Sequence, residues 1–306
     1  MSHVRLNTEL TFVYAVHAAV STGLLEGLAR GAVPQELDPG VVDRVLDVLA
    51  SRGWVRHDEG GWVVAPWLVG AGPFDIGRMA GILGHTDRAL RDGGTVMRGE
   101  VRHTADVVRG LARMLARPAE HLARELGPCG GTVVDVGCGA ASWSLAMLGN
   151  DPEARVVGLD RDTVLVGARA EAVERGLAAR FTGLPGSFWE TPFPRARRVV
   201  LANVVHLLGP TAGAALVARC AAALEPGGEL VVVDVLEGRP HDADVAAYAL
   251  QLRLREPTGT VHTAETVGHW CADAGLGVTR VIPLRADIAG LAALVAQSST
   301  TNPSRT

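Results

Sequence analysis

Apolar positions along the chain change period near its middle. Over residues 8–30 they recur at helical spacing, at Phe12, Val13, Val16, Ala19 and Val20 and then at Leu24, Leu25 and Leu28, until Gly31 and Pro34 break the run. Asp38-Pro39 opens a second helix with proline in its first turn, where a missing N–H leaves no bond unmade. Val42, Val45, Leu46 and Leu49 form its buried stripe, and Arg52-Gly53 closes it. Trp54-Val55-Arg56 and Trp62-Val63-Val64, joined by Asp58-Glu59-Gly60-Gly61, read as a β-hairpin. Helices followed by a small hairpin predict a winged-helix unit over residues 1–72. Residues 73–126 are glycine-broken and then helical, with Val107, Val108, Leu111, Met114 and Leu115 on an arginine-bearing amphipathic pattern; they are expected to form a linker and lid.

Gly127-Pro128-Cys129-Gly130-Gly131 is the clearest boundary, and beyond it strands alternate with helices. Strands are predicted at Thr132–Val136, Arg155–Leu159, Arg198–Ala202 and Leu230–Val235, with helices at Trp143–Leu148, Val164–Arg175 and Ala212–Leu224. A helix at Ala264–Ala274 then leads to two closing strands, Val278–Pro283 and Leu291–Ala296. This alternation predicts an α/β domain over residues 127–297, a parallel sheet covered on both faces. The Ser/Thr/Asn-rich end from Gln297, a tail over 298–306, is expected to be disordered.

Composition narrows the function. With 306 residues, 48% hydrophobic and 20% charged, the chain has material for about two domains, yet no apolar run of about 18 residues that would span a membrane. Met1-Ser2-His3-Val4-Arg5 is not followed by a clean apolar run, so no secretory leader is expected. Cys129, Cys138, Cys220 and Cys271 lie far apart without a CxxC pair, which points to a reducing, cytoplasmic setting and no structural zinc. All 29 basic residues are arginine, so Schiff-base chemistry, pyridoxal phosphate anchoring and a P-loop lysine are excluded. Residues 1–70 carry five arginines against eight carboxylates, the wrong balance for a DNA-binding head. The winged front end is therefore expected to pack against protein.

The most informative segment is Val133-Val134-Asp135-Val136-Gly137-Cys138-Gly139-Ala140-Ala141-Ser142, a strand running into a glycine turn and a helix. Gly137 and Gly139 let the backbone approach a ligand at the carboxyl end of the strand, where such sheets bind their ligands. The third glycine of a dinucleotide fingerprint is replaced by Ser142. The next strand ends at Asp160, 23 residues after Gly137, where a carboxylate can accept from both hydroxyls of a ribose. Taken alone, Asp160 reads equally as a solvated loop residue. Together the two motifs favour an adenosine-containing ligand.

Downstream stand Gly186-Ser187-Phe188-Trp189, then Leu201-Ala202-Asn203-Val204-Val205-His206, then Leu224-Glu225-Pro226-Gly227-Gly228-Glu229 running to Asp234. In this order the motifs resemble those of class I S-adenosylmethionine-dependent methyltransferases. With the winged front end, the chain resembles the small-molecule O-methyltransferase family of plant phenolic and bacterial antibiotic-tailoring enzymes. The resemblance implies a Rossmann-like, mostly parallel sheet with an antiparallel last strand, and S-adenosyl-L-methionine as cofactor. It implies cofactor contacts from Asp135, Gly137, Gly139, Asp160, Ser187, Phe188 and Asn203. His206 falls where the family keeps its general base, and Asp234 where a carboxylate orients it. A homodimer through the apolar front helix is implied as well, with a small-molecule substrate and neither nucleic acid nor membrane as partner.

Departures from the family pattern are as specific as the matches. Ser187 replaces an aspartate, Ala202 a polar residue, Leu207-Leu208 an Asp-Trp pair, and Asp234 a glutamate. Val261 stands where a second carboxylate is usual, and the adjacent His262 reads as a second polar group or, more readily, as a surface residue. Transfer to a phenol or enol oxygen needs alignment, worth about 7–11 kcal/mol, and a proton acceptor, worth roughly 10²–10⁴-fold. Without the family order, a histidine at an apolar strand end is more often packed core. The substrate pocket is expected between the helices around Met97 to Met114 and the segment Tyr248–Glu256. There Tyr248, Gln251 and Arg255 share one helix face, which reads equally as an arginine-decorated outer surface. The expected activity is methyl transfer to a hydroxyl or enol of a specialised metabolite. Three alternatives stay open: C- or N-methylation, a non-methylating cyclase or decarboxylase using the same cofactor pocket, and a winged-helix DNA-binding regulator.

Overall fold

Two units, Met1–Val96 and Met97–Thr306, divide the chain ahead of the change of period at Gly127, in a computed structural model that describes residues 3–65, 81–93, 105–236, 242–284 and 290–298. In the first unit, α1 (His3–Ser21) and α2 (Leu24–Ala29) replace the single helix expected over 8–30. Gly23, at φ +72°, takes the left-handed turn that separates them. The Asp38 carboxylate accepts from the Val41 N–H at 2.9 Å and caps α3 (Pro39–Ala50). The hairpin forms as expected, β1 (Val55–Asp58) antiparallel to β2 (Gly61–Val64). Ala19, Leu25, Leu46, Leu49 and Val55 bury together beneath it. A short helix, α4 (Thr86–Asp92), follows.

The second unit begins, among the described residues, with α5 (Ala105–Leu126). Of the expected lid, 73–80 and 94–104 lie outside the described residues, as does Met97. Helix α5 buries Leu115, Ala119, Leu122 and Ala123 in the same core as α6 (Ser142–Asn150) and α7 (Asp162–Glu174). It is thus one layer of this unit. The strands are β3 (Thr132–Val136), β4 (Arg155–Asp160), β5 (Phe181–Pro185), β6 (Ala196–Ala202), β7 (Leu224–Val235), β8 (Leu276–Pro283) and β9 (Leu291–Ser298). Their order is β5-β4-β3-β6-β7-β9-β8, with every pairing parallel except those of β9. Helices α8 (Pro210–Ala223) and α10 (Ala264–Asp273) cover the opposite face, and α9 (Ala243–Arg255) precedes α10.

Side chains alternate along each strand, so Val231 and Val233 enter one core while Leu230 and Val232 enter the other. Strand β5 was not expected. Its sequence, Phe-Thr-Gly-Leu-Pro, has no run of apolar residues, and as an edge strand it tolerates Pro185, which has no N–H to donate. The expected tail also begins too early: Gln297 and Ser298 continue β9, and Ser298 Oγ donates to the Glu225 and Gly228 carbonyls. Residues 299–306 lie outside the described residues. Among the described residues, no helix is long and apolar enough to cross a membrane.

Candidate functional site

At the carboxyl ends of β3, β4 and β6 the sheet opens into a cavity of about 690 Å³, within the range of small-molecule sites. Its floor is the glycine turn. Gly137 (φ +70°) and Gly139 (φ +56°) are both left-handed, and a Cβ on Gly137 would meet Val204 Cγ2 at 2.8 Å. The Gly137 and Cys138 N–H groups donate to the Leu159 carbonyl at 2.8 and 3.1 Å, which moors the turn to β4. At the end of β4, Asp160 accepts from the Gly139 N–H at 2.9 Å and from the Arg161 N–H at 2.8 Å. A carboxylate has about four acceptor positions, so lone pairs remain to meet a ligand.

Six of the expected site residues line the cavity: Gly137, Gly139, Asp160, Ser187, Phe188 and Asn203. The loop carrying Ser187 and Phe188 is braced by Arg219, whose guanidinium donates to the Phe188 carbonyl at 3.0 Å and the Thr191 carbonyl at 3.2 Å. Asp135 is not among the residues lining the cavity. It lies 1% exposed beneath the turn, accepts from Ser144 Oγ at 2.5 Å, and is pushed up to about 7 by burial against the opposing pull of that hydrogen bond. Met114 and Gln251 are likewise off the wall. Helix α5 turns Leu111, Ala112 and Leu115 to the cavity, while Met114 packs against the core beside them.

His206 sits on a 3₁₀ turn, Val205–Leu207, just past β6; Val204 and Leu207 line the cavity, and His206 itself is not among the lining residues. Its Nδ1 lies 2.8 and 3.0 Å from the two oxygens of Asp234, which is 1% exposed. Asp234 also accepts from the backbone N–H of His206 at 3.2 Å and of Val235 at 2.8 Å. An ionised carboxylate can only accept, so the proton is assigned to Nδ1 and the lone pair to Nε2. Among the described residues Nε2 has no hydrogen-bond partner. The Tyr248 ring stands edge-on to the His206 ring with centroids 6.0 Å apart, and burial raises its phenol above the usual range.

Two further contacts hold this turn from behind. The Thr260 N–H donates to the His206 carbonyl at 2.9 Å, and Thr258 Oγ1 donates to the Leu207 carbonyl at 2.7 Å. His262 is a correction: it is 4% exposed rather than on the surface, donates from Nε2 to the Leu208 carbonyl at 2.9 Å, and stands edge-on to Trp270. Nothing local marks it as buried. Its partner lies 54 residues earlier.

Sheet order, glycine turn and acidic strand end together define the Rossmann-like class I methyltransferase fold. Residues 127–276 match the family model of the O-methyltransferase domain. A 2,7-dihydroxy-5-methyl-1-naphthoate 7-O-methyltransferase from Streptomyces carzinostaticus is 30% identical over 156 residues, 50% of this chain and 46% of that one. An aclacinomycin 10-hydroxylase from Streptomyces purpurascens is 33% identical over 150 residues, 48% of this chain and 40% of that one. The chain thus matches less than half the length of these relatives. The fold of a mitomycin 7-O-methyltransferase superposes with a TM-score of 0.75 over 96% of each chain at 21% identity.

Proposed function

We propose that the protein transfers a methyl group from S-adenosylmethionine to a hydroxyl or enol oxygen of a small natural product, with His206 as general base. The observation that carries this reading is the His206–Asp234 pair, on a turn whose Val204 and Leu207 line a cavity built on a glycine turn, with no partner for Nε2 among the described residues. Similarity to an O-methyltransferase domain supports it. The residues present fit the cofactor. Gly137 and Gly139 leave the turn open where side chains would intrude, Asp160 offers lone pairs to ribose hydroxyls, and Phe188 offers a ring face on the same wall. When bound, S-adenosylmethionine supplies an electrophilic methyl on a sulfonium. The chain does the rest: the apolar wall of Leu111, Leu115 and Leu207 excludes water, and His206 Nε2 takes the proton from the attacking hydroxyl. Asp234 holds the ring in the tautomer that can accept it and stabilises the resulting imidazolium.

The assembly belonging to this reading is a cytoplasmic homodimer through the first unit, where α1 exposes Leu6, Leu10, Val13 and Tyr14. Sedimentation of the purified chain as a monomer would remove that part alone.

Calorimetric titration with S-adenosylmethionine and S-adenosylhomocysteine, with NAD as control, tests the cofactor; binding of the first two only is expected. With a panel of phenols and enols as acceptors, His206→Ala is expected to lower turnover at least tenfold, roughly the low end of a lost general base, with cofactor affinity held within about twofold. Unchanged turnover would demote His206 to packing. The aclacinomycin 10-hydroxylase among the relatives motivates a second reading, the same pocket serving a reaction other than methylation. Formation of S-adenosylhomocysteine with a methylated product decides against it.

A further inference from the structure

Left-handed backbone outside glycine occurs at two positions among the described residues, Ala141 (φ +57°) and Asn203 (φ +56°). This conformation crowds Cβ against the backbone and persists where the surrounding structure enforces it, often at functional sites. Both residues flank the same cavity. Ala141 caps α6 two positions before Trp143, and Asn203 directly follows β6, three positions before His206. One hydrogen bond joins the two turns: Trp143 Nε1–H donates to Asn203 Oδ1 at 3.2 Å. The indole nitrogen can only donate, so it orients the amide, oxygen toward Trp143 and Nδ2 away. The Asn203 N–H donates in turn to the Val233 carbonyl at 2.8 Å, one residue before Asp234. Val204 Cγ2 then occupies the space a Cβ on Gly137 would need. Asn203 is thereby tied to the helix after the glycine turn, to the strand carrying Asp234, and to the turn carrying His206.

We propose that Asn203 is a positioning residue: its left-handed backbone, latched by the Trp143 indole, directs the chain out of β6 so that His206 Nδ1 meets Asp234. This rests on the reading of His206 as the base. A packing role and a positioning role predict opposite orders of damage. If Asn203 merely packs, glycine is the worse replacement, since it loosens the chain and fills nothing. If the left-handed backbone is what matters, glycine adopts it freely and alanine does not.

The test uses the full chain carrying Asn203→Gly, Asn203→Ala or Trp143→Phe, with two readouts. The first is the histidine-ring proton–carbon NMR signals, in which His206 is identified by its loss in His206→Gln. The second is methyl transfer to whichever acceptor of the phenol and enol panel turns over, split into kcat and KM for S-adenosylmethionine. Asn203→Ala is expected to move the His206 signals and to lower kcat about tenfold, with KM changed less than about threefold. Asn203→Gly is expected to move the His206 signals less than Asn203→Ala does, since glycine keeps the left-handed turn. Trp143→Phe, which removes the donor and leaves Asn203 in place, is expected to move the His206 signals less than Asn203→Ala does. Equal effects of glycine and alanine, or His206 signals unmoved in all three variants, would overturn the proposal. Full turnover by His206→Ala would instead sink the base reading, leaving the NMR comparison to decide whether Asn203 places the ring.

Discussion

Asp135 shows how much of a residue's chemistry comes from its surroundings. Complete burial raises its carboxyl to about 7, from an ordinary value of 3.8, and the Ser144 hydroxyl offsets only part of this. The folded state therefore holds the proton more tightly than the unfolded chain does. The stability this group contributes is full below about pH 4 and is lost as pH rises through about 7. Asp135→Asn keeps an acceptor for Ser144 and removes the titration. Relative to the unsubstituted chain, the variant is expected to be more stable at pH 8 than at pH 5. The difference is about 1.4 kcal/mol for every tenfold by which the folded chain holds the proton more tightly within that range. Urea unfolding at the two pH values measures this; parallel pH dependences would show that Asp135 does not titrate there. The position of Asp135 at the end of an apolar strand was legible in the sequence. Its removal from the cavity wall was not, because the face a strand residue presents depends on the helix laid against it.

At the scale of elements, local signals were readable wherever the local chemistry is self-sufficient. Asp38 before Pro39 announces a helix start, and the structure makes that cap with the Val41 N–H. Asp38→Ala is expected to cost about 1 kcal/mol of stability while leaving S-adenosylhomocysteine affinity unchanged; thermal melts and calorimetry on one preparation check both halves. Gly137 is the contrasting case. Its left-handed backbone and the nearness of Val204 Cγ2, 2.8 Å from where a Cβ would stand, make Gly137→Ala strained and crowded at once. That variant is expected to lose cofactor binding by more than tenfold, about 1.4 kcal/mol or more of affinity, with its secondary structure intact by circular dichroism. Strand β5 escaped the sequence because an edge strand gains its order from pairing with β4, and Phe-Thr-Gly-Leu-Pro carries little preference of its own.

For the whole molecule, a cavity that exists only in the folded second unit makes ligand binding and stability one equilibrium. S-adenosylhomocysteine at a hundred times its Kd is expected to stabilise the protein by about 2.7 kcal/mol, seen as a rise in melting temperature by scanning calorimetry, and NAD is expected to give none. No rise at saturating ligand would separate the cavity from the proposed cofactor. The α/β character of the second unit, the glycine turn and the acidic strand ends could be read from the chain, because periodicity, glycine and proline act over a few residues. Which distant groups meet could not. His206 finds Asp234 across 28 residues, His262 finds Leu208 across 54, and Trp143 finds Asn203 across 60. Those meetings are set by parallel strand register and by helices packed on the sheet. Physical proximity of that kind exists only once the sheet has closed, and it is what turns a histidine on an apolar strand end into a candidate base.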